Sequence, residues 1–294
     1  MSSNIHIFTH SDLDGAGCLM AILWAFPDAT ITYTAVSSAH SFEEEFLKLN
    51  KKKPISQYDV VFVTDLSILE KDIHLIDRKN VIFIDHHKSS LQLKFSVAKT
   101  FISKFTSCTL LVYKLFKSKL DITNQQKHLL ILIDDYDSYT FSFSKTRELN
   151  TLFWSHYQNN ISLFLEDFNN GFVSFTPLQR QALLIYQNKL QSSIDTLTTY
   201  KATLTIQGAE CKVVAAFADI AINDISDYII NKYVPDVAIV INLKTQRVSF
   251  RRNNKHIDVS ILAKKLCDGG GHEAAAGGKL TEKFLEFTRM FEPT

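Results

Sequence analysis

The chain has 294 residues, 46% of them hydrophobic and 21% charged, with 32 Lys plus Arg against 31 Asp plus Glu. This composition excludes a disordered or fibrous protein, and the length allows two medium-sized domains. The near-neutral balance excludes the global basic field that grips long duplex nucleic acid, so any nucleic-acid partner is expected to be short. The cysteines, Cys18, Cys108, Cys211 and Cys267, lie far apart without a Cys-x-x-Cys pair. They read as core thiols in a reducing compartment, not as a zinc knuckle or disulfide framework. No run approaches ~18 apolar residues, and Met1 to Phe8 lacks a basic region leading into an apolar one, so a cytoplasmic protein with no membrane contact is expected.

The first third alternates β-rich runs with helical patterns: strands at Ile5–Phe8, Ile31–Thr34, Val60–Val63 and Val81–Ile84, and helices near Ala16–Phe26, Phe42–Leu49 and Lys71–Asp77. Such alternation marks a mainly parallel sheet flanked by helices. From Thr106 to about Phe172 the apolar spacing becomes helical, as in Leu110, Leu111, Tyr113, Leu115 and Phe116. Thr176-Pro177-Leu178-Gln179 has the form of a capping box opening a helix to about Thr196. Strands at Ala202–Ile206, Cys211–Ala216, Val237–Asn242 and Arg247–Arg251 follow, with helices near Ile225–Lys232 and Val259–Cys267. The expected fold class is therefore α/β. A mainly parallel N-terminal domain, residues 1–175, is joined by a helical connector, 176–198, to a smaller C-terminal α/β domain, 199–294.

Three of the expected strands run into polar clusters, and in open α/β sheets loops at the carboxyl ends of strands converge on a ligand site. His10-Ser11-Asp12-Leu13-Asp14-Gly15 closes the first; in extended backbone residues two apart share a side, so His10, Asp12 and Asp14 can face one pocket. Gly15 allows a tight turn into the helix. The alternative is that Asp12 and Asp14 only cap that helix. Asp65 ends a strongly apolar strand, where a lone Asp is otherwise a turn residue. Asp85-His86-His87 repeats the arrangement, and two adjacent imidazoles have no packing advantage over apolar residues. Asp134-Asp135-Tyr136-Asp137 follows another apolar run; three acids in four residues repel one another unless a cation or solvent compensates them. Many Asp, several His and no Cys suit Mn2+, Fe2+, Co2+ or Zn2+ better than Mg2+. Mn2+ is the expected cofactor, two ions per site. Two such cations ~3.5–4 Å apart serve phosphoester hydrolysis.

Four motifs in this order, the third being Asp-His-His, resemble the DHH phosphoesterase family. The tail Gly269-Gly270-Gly271-His272-Glu273-Ala274-Ala275-Ala276-Gly277 resembles the glycine-rich signature of the type 1 DHH-associated C-terminal domain. The resemblance implies that His10 and Asp12 bind one metal, Asp14 and His86 the other, with Asp65 bridging and catalytic. It places His87 at the substrate phosphate as a second catalytic residue. Asp137-Ser138-Tyr139-Thr140-Phe141 best matches the last motif, making Asp137 a metal ligand, with Asp134 as rival. Val248-Ser249-Phe250-Arg251 resembles the segment whose Arg meets phosphate, which a guanidinium can grip bidentately; Arg252 beside it reads as a solvated surface charge. Gly269, Gly270, Gly271 and His272 are expected to approach the substrate closely. The short first motif looks more like the oligoribonuclease branch than the nano-RNases with a longer loop.

The implied function is that of a metal-dependent phosphodiesterase acting on short oligonucleotides, an oligoribonuclease-like 3′–5′ exonuclease that can also dephosphorylate 3′-phosphoadenosine 5′-phosphate. Cyclic-dinucleotide hydrolysis, RecJ-like exonuclease action on single strands, and nucleotide sensing without turnover are the alternatives. The expected partner is a short single-stranded oligonucleotide or nucleotide, with a homodimer left open.

Overall fold

The computed structural model describes residues 3–293, the side chain of His40 excepted. The chain divides into two compact units at Leu184/Ile185. The division falls within the helix expected as a connector, Pro177–Asp195.

In the first unit the strands β1 (Asn4–His10), β2 (Thr30–Val36), β3 (Val60–Thr64), β4 (Val81–Asp85) and β5 (Lys99–Ile102) form one sheet in the order β2-β1-β3-β4-β5. Every neighbouring pair is parallel. Parallel strands covered on both faces carry nearly continuous apolar runs, which is the pattern of β1, β3 and β4. Ile5, Ile7 and Phe62 pack toward α1 (Leu13–Ala25), α4 (Cys108–Phe116) and α5 (Asn124–Asp137). Phe8, Val61, Val63 and Phe83 instead pack with Phe42 and Phe46 of α2 (Ala39–Lys52). The helix expected near Lys71–Asp77 is a 3-10 turn, Glu70–Asp72, followed by one turn of α3 (Ile73–Ile76). Sequence patterning misses β5 altogether: it is a largely exposed edge strand, so it needs no apolar run.

The helical stretch resolves into α4, α5, α6 (Thr146–Leu152) and α7 (Ile161–Asp167), with a π-helical turn at Phe153–Tyr157. Reciprocal capping fixes where two helices begin. Thr123 N–H donates to Gln126 Oε1 at 2.9 Å while Gln126 N–H donates to Thr123 Oγ1 at 3.2 Å. The expected box at the start of α8 (Pro177–Asp195) has the same form: Thr176 N–H to Gln179 Oε1, 2.9 Å, and Gln179 N–H to Thr176 Oγ1, 3.2 Å.

The second unit is built on a seven-stranded sheet, β10-β11-β9-β8-β7-β6-β12. Its strands are β6 (Thr199–Ile206), β7 (Ala209–Phe217), β8 (Val237–Asn242), β9 (Arg247–Arg252), β10 (Gly270–Gly271), β11 (Ala275–Lys279) and β12 (Glu292–Pro293). Only β7 and β8 run parallel; the other pairs are antiparallel. One face packs Val240 and Ala216 against Ile225 and Ile229 of α9 (Ile222–Tyr233). The other packs Ile239 and Phe250 against Leu262 of α10 (Val259–Cys267) and Phe284 of α11 (Glu282–Thr288). No helix among the described residues is long and apolar enough to cross a membrane.

Gly17 sets the closeness of α1 to its neighbours: a Cβ there would stand 2.2 Å from Thr109 Oγ1 and 2.9 Å from Ile133 Cδ1. Gly17→Ala therefore overpacks the layer that carries Asp14. It is expected to lower unfolding free energy by about 1–3 kcal/mol in urea titrations, despite the better helix propensity of Ala. An unchanged midpoint would show that the layer yields freely.

Candidate metal centre

Strand β1 delivers His10 at its last position, after which the chain leaves extended geometry. Asp12 is the N-cap of α1, its Oδ1 accepting from Gly15 N–H at 3.0 Å, while its Oδ2 lies 2.7 Å from His10 Nδ1. The pleat expected to align His10, Asp12 and Asp14 is thus replaced by a cap and the first helical turn, and Asp12 both caps and faces the site. Gly15 is required by proximity: a Cβ would stand 2.0 Å from the His10 carbonyl oxygen. Asp14, buried in that turn, accepts Cys108 N–H at 2.8 Å and Thr109 N–H at 2.9 Å. These are the first amides of α4, so the positive end of that helix steadies the carboxylate.

Asp65 follows β3 with φ 56°, left-handed backbone that Asp tolerates better than most residues. Its N–H donates to Ile84 O at 3.0 Å, pinning it between β3 and β4. Its Oδ1 lies 3.3 Å from His86 Nε2, while Oδ2 is buried with no hydrogen-bond partner. His86 Nε2 is also 3.7 Å from Asp14 Oδ2, and its Nδ1 is 3.4 Å from Asp137 Oδ2. His87 points its Nδ1 at Asp85 Oδ1, 2.8 Å away, and the other Asp85 oxygen accepts from Ser90 Oγ.

These side chains group into His10/Asp12/Asp65, Asp14/His86/Asp137 and Asp65/Asp85/His87, each offering ligand atoms within 4.8 Å of one another. Asp65 belongs to the first and third and touches His86 of the second. At the fourth motif the two rivals differ in what they touch: Asp134 Oδ1 accepts Ser107 N–H at 2.8 Å, ahead of α4, whereas Asp137 lies against His86. Asp135 is turned away from both. Its carboxylate accepts Ser142 N–H at 2.8 Å, Phe143 N–H at 3.1 Å and the hydroxyls of Thr140 and Thr146, fixing the loop after α5.

Charge in the site is uncompensated by protein cations alone. Burial pushes the Asp65 carboxyl well above the usual carboxylate range, and the negative charges of Asp12, Asp14 and Asp137 add to it. Burial and Asp14 do the same to Asp137. Burial opposes protonation of His10, but Asp12 overrides it and holds the imidazole up at about 9. For His86, burial is likewise overridden by Asp14 and Asp137, again at about 9. Asp12 shows the reciprocal effect: burial would raise it, yet His10 holds it below the ordinary range.

In the second unit Arg251, on β9, donates from Nη2 to Asn223 Oδ1 at 2.6 Å and from Nη1 to its neighbour's carbonyl, Phe250 O, at 3.3 Å. Arg252, expected as a solvated surface charge, is only partly exposed, its Nη1 donating to Lys255 O at 3.1 Å and Ile257 O at 3.0 Å. Two of the tail glycines serve their own strands: a Cβ on Gly269 would stand 2.0 Å from Gly277 O, and one on Gly271, at φ +140°, 2.7 Å from Ala275 O. Gly270 faces open space. His272 is exposed in the turn between β10 and β11, its N–H donating to Ala275 O at 2.8 Å.

Sequence reasoning missed two supports. The Cys108 and Thr109 amides that hold Asp14 carry no signal, because backbone N–H groups are the same in every sequence. Asp85 stood inside a recognised triplet, but only the geometry shows it holding His87, with Ser90 behind it.

Residues 4–134 match the model of the DHH family, N-terminal domain, and residues 205–292 that of the DHHA1 domain. Among curated proteins, the oligoribonuclease NrnB of Bacillus subtilis is 25% identical over 96% of this chain and 74% of its own length. Among solved structures, the pGpG-specific phosphodiesterase PggH of Vibrio cholerae is 14% identical with TM-score 0.57, over 97% of this chain and 96% of that one. An exonuclease RecJ bound to manganese is 11% identical with TM-score 0.54, over 98% of this chain and 88% of that one. The protein is a hydrolase acting on phosphodiester bonds. A DHH-family N-terminal domain and a DHHA1 domain are both present in the chain.

Two expectations follow for the metal-free protein. His10 and His86, whose folded pKa values lie above the unfolded value, stabilise the fold fully below about pH 6.5 and lose that contribution as pH rises through about 9. Asp65 and Asp137, also raised, act in the same direction, because the folded state binds protons that the unfolded state has released. The Tm of EDTA-treated protein should therefore fall from pH 6.5 to 9, with the slope reduced but not abolished in Asp65→Asn, which removes one of the four titrating groups; a flat profile in the parent chain would contradict this electrostatic account. For Mn2+ affinity, Asp137→Asn should cost at least ten-fold more than Asp134→Asn, read from Mn2+-induced Tm shifts. Equal losses would reinstate Asp134 as a ligand.

Proposed function

We propose that the chain is a metal-dependent phosphodiesterase of oligonucleotides a few residues long, working as an oligoribonuclease-like 3′–5′ exonuclease. The observation that carries this reading is Asp65: a buried carboxylate with one oxygen unpartnered, held in left-handed backbone, with a His/Asp ligand set on either side. An acid kept there at such electrostatic cost fits a bridging ligand. The donor set of carboxylates and imidazoles without thiolates suits Mn2+, with Mg2+, Co2+ or Zn2+ as substitutes.

In this proposal His10, Asp12 and Asp65 hold one cation, and Asp14, His86 and Asp137, again with Asp65, hold the second. Bound as a pair, divalent cations supply Lewis acidity and a nucleophile drawn from water. The protein's own part is positioning. The cap geometry of Asp12 and the α4 amides on Asp14 leave each carboxylate one orientation. Asp85 accepts from His87 Nδ1–H, which fixes the ring and leaves Nε2 as the atom for the proposed phosphate contact. Ser90 in turn fixes Asp85. On the second unit Arg251, preset by Asn223, is the proposed phosphate contact, with the Gly269–Gly271 segment and His272 beside it; Gly270, open on its Cα side, is where a ligand can come closest. The oligoribonuclease relative, similar over nearly all of this chain, supports the choice of substrate.

The test is a panel with Mn2+: a labelled dinucleotide, a longer single-stranded RNA, a single-stranded DNA, a cyclic dinucleotide and 3′-phosphoadenosine 5′-phosphate. The dinucleotide is expected to turn over fastest. In Asp65→Ala its kcat/KM should drop by more than about a hundred-fold, beyond what loss of an outer-sphere partner typically costs. Tight nucleotide binding without turnover by the parent chain would identify a sensor instead.

A further inference from the structure

Three aromatic rings surround the proposed ligand Asp137 in sequence and pack on one another in space. Tyr136 precedes it, and Tyr139 and Phe141 follow in the loop after α5. Their ring centroids are 6.3 Å apart for Tyr136 and Tyr139, 5.7 Å for Tyr136 and Phe141, and 5.5 Å for Tyr139 and Phe141. Such a trio would ordinarily be buried, yet Tyr139 is 45% exposed. The Arg147 guanidinium lies 3.8 Å from the Phe141 ring centroid, bracing the cluster from one side.

The backbone that presents the rings is strained. Tyr139 has φ 55° and Phe141 φ 50°, left-handed conformations that bulky side chains rarely adopt. Strain of this kind persists only where surroundings over-determine it, and it concentrates at ligand-binding segments. The surroundings here are explicit. The Asp135 carbonyl accepts Thr140 N–H at 3.1 Å and Phe141 N–H at 3.3 Å, and the buried Asp135 carboxylate takes the amides and hydroxyls just beyond. One acid of the fourth motif thus faces the metal centre, while its neighbour two residues earlier shapes the aromatic loop.

We propose that Tyr139, backed by Tyr136 and Phe141, is a stacking platform for a nucleobase of the substrate. The inference rests on the functional reading above and adds where a base is held. A nucleotide's base is tethered through one sugar to the phosphate, and this loop is tethered through two residues to Asp137, so a phosphate at the metal centre delivers a base to the rings. Base–aromatic stacking tolerates any base because each has a π-face, so the platform selects for the presence of a base, not its identity.

The test compares a dinucleotide with its analogue lacking one base, using full-length protein with Mn2+. The parent chain should prefer the dinucleotide in kcat/KM, and Tyr139→Ala should erase about five- to a hundred-fold of that preference, mainly through KM. Tyr139→Trp should keep it. Binding is read separately with a dinucleotide carrying fluorescent 2-aminopurine, whose emission stacking quenches; quenching should be strong in the parent and in Tyr139→Trp and lost in Tyr139→Ala. A preference and a quench that both survive Tyr139→Ala overturn the platform while leaving the phosphodiesterase intact. A parent chain that quenches the probe without cleaving it sinks the functional reading alone, and one that does neither sinks both.

Discussion

Repulsion among buried acids is the constraint around which the first unit is organised. Asp14 and Asp65 are buried and Asp12 and Asp137 half-buried where they converge, and no Lys or Arg enters the site among the described ion pairs. Buried charges of one sign persist only with partners. The fold supplies partial ones: the α1 amide at Gly15 for Asp12, the α4 amides for Asp14, and two imidazoles shared among the acids. What they leave over is a standing demand for positive charge, which a divalent cation answers more compactly than any side chain.

That demand explains local features that packing alone would not. Gly15 stands where any Cβ would collide with the His10 carbonyl, because the cap on Asp12 requires the chain to turn back at once. Asp65 accepts an unfavourable φ that sets its carboxylate between the two proposed ligand sets. Gly17 lets α1 approach α4 closely enough for Asp14 to reach two amides.

Much of this was legible in the sequence, because parallel strands announce themselves by unbroken apolar runs and their polar ends stand out against them. The clusters at His10, Asp65 and His86 stand out that way, and Asp137 through its resemblance to the last motif of the family. The geometry within the first cluster was misread: strand periodicity suggested one pleated face, while Asp12 and Asp14 reach the site from a cap and a helix, which share the same spacing over a few residues. Strand β5 carried no signal because exposure removes the need for apolar residues, and the tail glycines, read as allowing close approach to substrate, include two, Gly269 and Gly271, where a Cβ would also collide with the β11 backbone. Backbone donors are invisible to any reading of side chains, which is why α4 went unnoticed as a support.

The bonds from Asp14 to the start of α4 span 94 and 95 positions of the chain. Closing loops that long is slow compared with forming a hairpin or a helical turn, since their entropy is spent before the contact repays it. During synthesis the acidic cradle therefore cannot be completed until the ribosome has passed α4 and α5. The nascent segment through α1 carries His10, Asp12 and Asp14 but not yet the amides that hold Asp14, so it presents only a fraction of the proposed ligand set in its final geometry.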